Sequence, residues 1–179
     1  MKQSEAIKIL SSWDKHGRHV YLKRDLGVIL GEKGRLLDQT LHRLVRSDIL
    51  ERVAHGVYVF KYSRHVGADT IEHIARNLRR GDIVFESLES ALSQYGVISQ
   101  VPIDRITLMT TGRSGEYKTP YGVIEFTHTK ESVDQILPNI RQREGHPLPI
   151  ATKHYAYRNL RSTKRNLTMI DEEALYEEN

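Results

Sequence analysis

The sequence predicts an α+β fold in two parts, and three observations point to it. Apolar residues recur at helical spacing in several segments, short β-prone runs are interleaved with them, and basic charge is concentrated near the start. Residues 1–66 carry 13 Lys or Arg against 7 Asp or Glu, whereas residues 67–179 carry 14 against 16. A surplus of that kind suits an anionic partner, because cations that neutralise phosphates release condensed counterions and gain sequence-independent affinity. A length of 179 residues fits a small binding module plus a compact partner domain.

Composition narrows the chemistry. With 39% hydrophobic and 28% charged residues the chain reads as soluble and globular, and no apolar run is long enough to span a bilayer. Met1 to Leu10 lacks the features of a signal peptide, and there is no cysteine, so a cytoplasmic setting is expected. Absence of cysteine also removes zinc ribbons, thiol nucleophiles and iron–sulfur clusters.

Ser4 precedes Ile7, Leu10 and Trp13 on one face, which predicts a capped helix over 4–15. Residues 18–22 are β-prone, and 25–30 form a brief helix stopped by Gly31. After Gly34, the residues Leu37, Leu41, Leu44 and Val45 fall at i, i+4, i+7 and i+8, the pattern of a longer helix with one apolar face. Its other face offers Arg35, Asp38, Gln39, His42, Arg43 and Arg46, mostly long donors. Ile49–Val53 and Val57–Phe60 then read as a hairpin turning at Ala54-His55-Gly56, with Arg52 and His55 near its tip. This order is that of a winged helix-turn-helix, so residues 1–66 are expected to bind DNA through Arg35, Gln39, His42, Arg43 and Arg46, with Arg52 and His55 on the wing.

Residues 67–179 are expected to form a small mixed α+β domain. Asp69 caps a helix with Ile71, Ile74, Ala75 and Leu78 inward, and Ile83–Phe85 is a short strand. Ser87 opens a helix burying Leu88, Ala91, Leu92 and Tyr95, which stops at Gly96 before Pro102 breaks the chain. Strands over 106–110 and 121–127 should pair, with 111–120 as turn. Val133, Ile136, Leu137 and Ile140 predict a helix over 131–143 that Pro138 kinks or divides, and 171–178 is a short helix or a tail.

Several further segments form an ordered set. In the first part these are Asp25-Leu26, Leu41-His42-Arg43-Leu44-Val45-Arg46 and Gly56-Val57-Tyr58. In the second they are Glu89-Ser90-Ala91-Leu92, Tyr95-Gly96-Val97-Ile98, Thr110-Thr111-Gly112-Arg113 and Thr119 to Phe126. Together they resemble the AbiEi family of antitoxins and repressors from abortive-infection toxin–antitoxin systems. The resemblance implies an autorepressor that binds inverted repeats in double-stranded promoter DNA. It also implies a C-terminal domain that counteracts a nucleotidyltransferase-like toxin without a stable complex. A monomer or a dimer is expected, and a single winged helix reading one half-site allows a dimer that forms only on DNA. A protein-interaction module or a stand-alone regulator is the alternative reading.

Three other constellations carry less. Thr110 to Gly115 lacks the Gly-Lys-Ser/Thr ending of a phosphate loop and reads as a hairpin loop. Asp104, Glu125 and Lys130 lack the spacing of a metal nuclease, and the nine histidines show no recurring ligand pattern, so no metal site and no cofactor are expected. The basic run near 141–165 interleaves cations with Tyr155 and Tyr157. Arg113, Lys153, Tyr155, Arg158, Arg161, Lys164 and Arg165 are either a solvated surface or a second nucleic-acid or partner contact.

Overall fold

The structure, a computed structural model, describes residues 1–99 and 103–178. The chain is mixed α+β with two separate sheets, and it divides into two compact units, Met1–Leu78 and Arg79–Asn179. Pro102, the expected chain break, lies outside the described residues. Among the described residues no helix is long and apolar enough to cross a membrane.

In the first unit α1 (Gln3–Asp14) leads through β1 (Val20–Leu22) into α2 (Lys23–Leu30), α3 (Gly34–Arg46), β2 (Leu50–Ala54), β3 (Val57–Phe60) and α4 (Thr70–Leu78). The strands form one antiparallel sheet in the order β1-β3-β2. Leu10, Tyr21, Leu26, Leu37, Leu41, Leu44, Leu50 and Phe60 fill the core between helices and sheet. Trp13 departs from its expected inward place: it is 38% exposed, with the Arg18 guanidinium 5.5 Å from its ring centroid. Asp14 turns inward instead and accepts a hydrogen bond from the Ser63 hydroxyl. The helix starts after Lys2, so Ser4 is not its cap.

The boundary expected at residue 66/67 falls at Leu78, because α4 packs on β1 and β3. The buried His19 ring ties it there. Its Nε2 lies 3.1 Å from the Thr70 hydroxyl, and its ring centroid is 4.9 Å from that of His73.

The second unit runs β4 (Val84–Glu86), α5 (Leu88–Gln94), β5 (Arg105–Thr110), β6 (Gly115–Thr119), β7 (Gly122–His128), α6 (Val133–Ile136), β8 (Ile140–Arg141), β9 (Ile150–Ala151), α7 (Lys153–Thr163) and α8 (Glu172–Tyr176). Its six strands lie in the order β6-β7-β5-β4-β9-β8, with β5 parallel to β7 and β4 parallel to β9. Phe85, Leu88, Leu92, Met109, Tyr155 and Leu160 build the core beneath α5 and α7. The expected turn over 111–120 contains β6, an edge strand whose exposed Glu116 and Lys118 hide any apolar alternation. The helix expected over 131–143 ends at Ile136. Pro138 enters a 3-10 turn over Leu137–Asn139, and Val133 and Leu137 are 50% and 55% exposed, so only Ile136 of the expected face is buried.

Candidate nucleic-acid interface

The α2–α3 corner sets the direction of α3. Gly31 stops α2 with φ +67°, a left-handed conformation that glycine adopts without steric cost. Gly27 allows the close approach that follows: a Cβ there would meet the Glu32 carbonyl oxygen and Leu37 Cδ2, each at 3.1 Å. Asp25 fixes the start of α2 by accepting from the Leu22 amide at 3.3 Å and from Arg18 at 2.8 Å.

On α3, Leu37, Thr40, Leu41 and Leu44 are buried. Each leucine contributes roughly 1.5–3 kcal/mol by leaving water, which pins the helix by its inner face. At about 100° per residue, Arg35, Gln39, His42 and Arg46 (i, i+4, i+7, i+11) share a stripe about 60° wide on the opposite side. All four are exposed. An ion pair and a set of hydrogen bonds define its flanks. Lys23 of α2 pairs with Asp38 on one side. On the other, Arg43 donates to the Met1 carbonyl at 2.8 Å and to the Thr40 hydroxyl at 3.2 Å, so the structure sets it off the stripe to which the sequence assigned it. Leu36, on that same flank in the first helical turn, is 55% exposed. Sequence reasoning passed over Leu36 and Gly27, although Leu36 stands visibly off the apolar spacing of its helix.

The β2–β3 turn places Arg52 and His55 together at an exposed tip, with Arg52 Nη2 3.1 Å from His55 Nδ1. Gly56 supplies the positive φ of +72° that the turn needs, and the register shifts between Arg52 and Ala54.

The second basic group is largely neutralised or structural. Tyr155 is 3% exposed, stacks on Phe85 at 5.6 Å and donates to Glu131 at 2.5 Å, so it offers no face for a base. Burial, then the hydrogen bond to Glu131, pushes its phenol pKa up. Arg158 pairs with Glu131 at 2.9 Å, and Lys153 donates to the Ala174 and Glu177 carbonyls. Arg165 lies between Glu89 and Glu125. Burial raises the Glu89 carboxyl, but the bonds from Arg165 and Asn166 prevail and hold it below the usual carboxylate range. Arg105 bridges Glu125 at 2.8 Å and Glu116 at 2.9 Å, which compensates two carboxylates directly opposite each other on β7 and β6. Arg113, Arg161 and Lys164 remain exposed, with Arg161 5.8 Å from the Tyr157 ring centroid.

The profile of DUF6088, a family of unknown function, matches residues 20–140. The chain belongs to this family. The DUF6088 match opens at β1, takes in the α2–α3 corner, the α3 stripe and the β2–β3 tip, and continues through β7 into the second unit. It leaves out α1 and α7. The chain shows no significant similarity to a curated protein.

Proposed function

We propose that the first unit is a winged helix-turn-helix and that the chain is a DNA-binding transcriptional regulator, with α3 in the major groove and the β2–β3 turn as the wing. One observation carries this reading. The stripe Arg35, Gln39, His42 and Arg46 is exposed along a helix whose other face is buried, and a basic-donor stripe of that geometry matches how a recognition helix meets base edges and phosphates. The basic surplus of residues 1–66 supports it.

Within that reading we assign the chain to an AbiEi-like type IV toxin–antitoxin system, as autorepressor on inverted repeats and antagonist of a nucleotidyltransferase-like toxin. The support is the resemblance of the segments over 25–58 and 89–126. The decisive test is fluorescence anisotropy of the full chain on the duplex upstream of its own gene and on a scrambled duplex. Preference for the upstream duplex, abolished in an Arg35→Ala/Arg46→Ala double variant that stays folded, is the expected result. Equal binding to both, or none to either, would overturn the assignment as a sequence-reading regulator. Rescue of growth from a toxin encoded beside the gene tests the antitoxin role separately.

A further inference from the structure

The second unit contains a half-open cavity of about 460 Å³ against Met109 of β5 and one side of α7; its lining is mostly apolar by area and includes the polar side chains of Thr129, Lys130, Glu131, Arg158 and Asn159. That volume lies within the roughly 300–1,000 Å³ of small-molecule sites. The parallel strands β5 and β7 both end at it, with Thr110 opposite His128 in register, and the chain leaving β7 supplies Thr129 to Glu131.

Counting donors and acceptors gives the cavity a sign. Glu131 is the one carboxylate in its lining, and both its oxygens are engaged: Oε2 accepts from the Tyr155 hydroxyl at 2.5 Å and Oε1 from Arg158 at 2.9 Å. The Arg158 charge offsets that of Glu131. Lys130 has no ion-pair partner among the described residues, so its ammonium leaves the lining net positive. Arg158 uses one N–H on Glu131 and holds others in the same planar fork. The Thr129 oxygen accepts from the Glu131 amide at 3.2 Å, which leaves its hydroxyl proton to donate. Asn159, 4% exposed, is braced by donating to the Ser87 hydroxyl at 2.9 Å. Lys130 and Thr129, after β7, and Arg158 of α7 therefore bring ammonium, hydroxyl and guanidinium donors to the lining of one concavity, whose one carboxylate is already satisfied.

We propose that this cavity binds the phosphate group of a small phosphorylated ligand. Oxyanions with several acceptor oxygens suit converging charged donors, and the volume leaves room for a body beyond the phosphate. This site is independent of the DNA-reading proposal, since it lies wholly in the second unit.

The test is a ¹H–¹⁵N titration of the full chain at fixed ionic strength with inorganic phosphate, AMP and acetate. Phosphate and AMP should give saturable shifts at amides 128–131 and 158–162, tighter for AMP. Lys130→Glu should weaken AMP at least tenfold and Thr129→Val several-fold, whereas Arg46→Ala should leave these shifts unchanged. Lys130→Gln serves if the charge reversal does not fold. No saturable shift at those amides, an equal response to acetate, shifts confined to residues 34–46, or unaltered binding in the Lys130 variants would each overturn the proposal.

Discussion

The Arg43 guanidinium donates to the Met1 carbonyl at 2.8 Å and to the hydroxyl of Thr40, one helical turn back. The sequence reading groups Arg43 with the groove-facing donors, yet its angular position and these bonds both set it on the flank of α3, so the proposed reading contacts pass to Arg35, Gln39 and Arg46. Arg35→Ala or Arg46→Ala should each weaken binding to the upstream duplex by about 1–3 kcal/mol. Arg43→Ala should cost less than either and act mainly on stability, by about 1 kcal/mol or less for exposed bonds. Anisotropy and denaturant melts on the three variants separate these effects. An affinity loss in Arg43→Ala equal to that of Arg35→Ala would return Arg43 to the groove.

Arg52 should behave differently from the α3 stripe. At an exposed turn tip beside His55, its proposed role is contact with phosphate, which carries no sequence information. Arg52→Ala should weaken upstream and scrambled duplexes alike and lower the slope of log K against log salt by about 1. Loss confined to the upstream duplex would mean that the wing reads bases.

A pH dependence of stability follows from the His19–His73 pair. Burial, and then the neighbouring His19 ring, lowers the His73 pKa below its ordinary 6.5, against the opposing pull of Asp69 at 3.5 Å; Arg76 adds to the lowering. The folded ring stays neutral where the unfolded one binds a proton. Its contribution is therefore complete above pH 6.5 and is lost as pH falls through the folded value, with a slope of at most about 1.4 kcal/mol per pH unit. Between about pH 6.5 and pH 5, above the range where carboxylates dominate, His73→Gln should flatten the fall in unfolding free energy measured in urea. A variant with the same slope as the parent would assign the pH dependence elsewhere.

Much of the first unit was legible because its signals are local. Leucine spacing located α3, Gly31 and Gly56 marked the turns, and β-branched residues marked β2 and β3. What spacing does not encode is the partner of a polar side chain. Arg43, Arg165 and Tyr155 have the residue types of a nucleic-acid surface, but Met1, Glu89 and Glu131, distant in sequence, take up their hydrogen-bonding groups. Likewise α7 was missed as a helix because Lys153, Arg158 and Arg161 interrupt its few apolar positions, two of which are tyrosines. Its inward residues, Tyr155, Ala156, Asn159 and Leu160, include a polar side chain that only the Ser87 contact explains.

Leu36, on the Arg43 flank but in the first turn of α3, tests how far the proposed reading surface extends beyond the stripe. It is 55% exposed in the first turn, next to Arg35 and one turn before Gln39 and Thr40, while the neighbouring Leu37 is buried. An apolar side chain carried into the major groove by a recognition helix meets one strongly apolar feature there, the C5 methyl of thymine. Burying one such group is worth about 0.8 kcal/mol, roughly fourfold in affinity. The upstream duplex prepared with deoxyuridine in place of thymidine should therefore bind the parent chain about fourfold more weakly. Leu36→Ala should bind the thymidine duplex more weakly by a similar factor and lose its discrimination between the two duplexes. Because the comparison is made within each protein, a general effect of deoxyuridine on duplex shape appears equally in both and cancels. Equal discrimination by Leu36→Ala and the parent would remove Leu36 from the reading surface, whereas failure of both to bind either duplex would count against DNA binding itself.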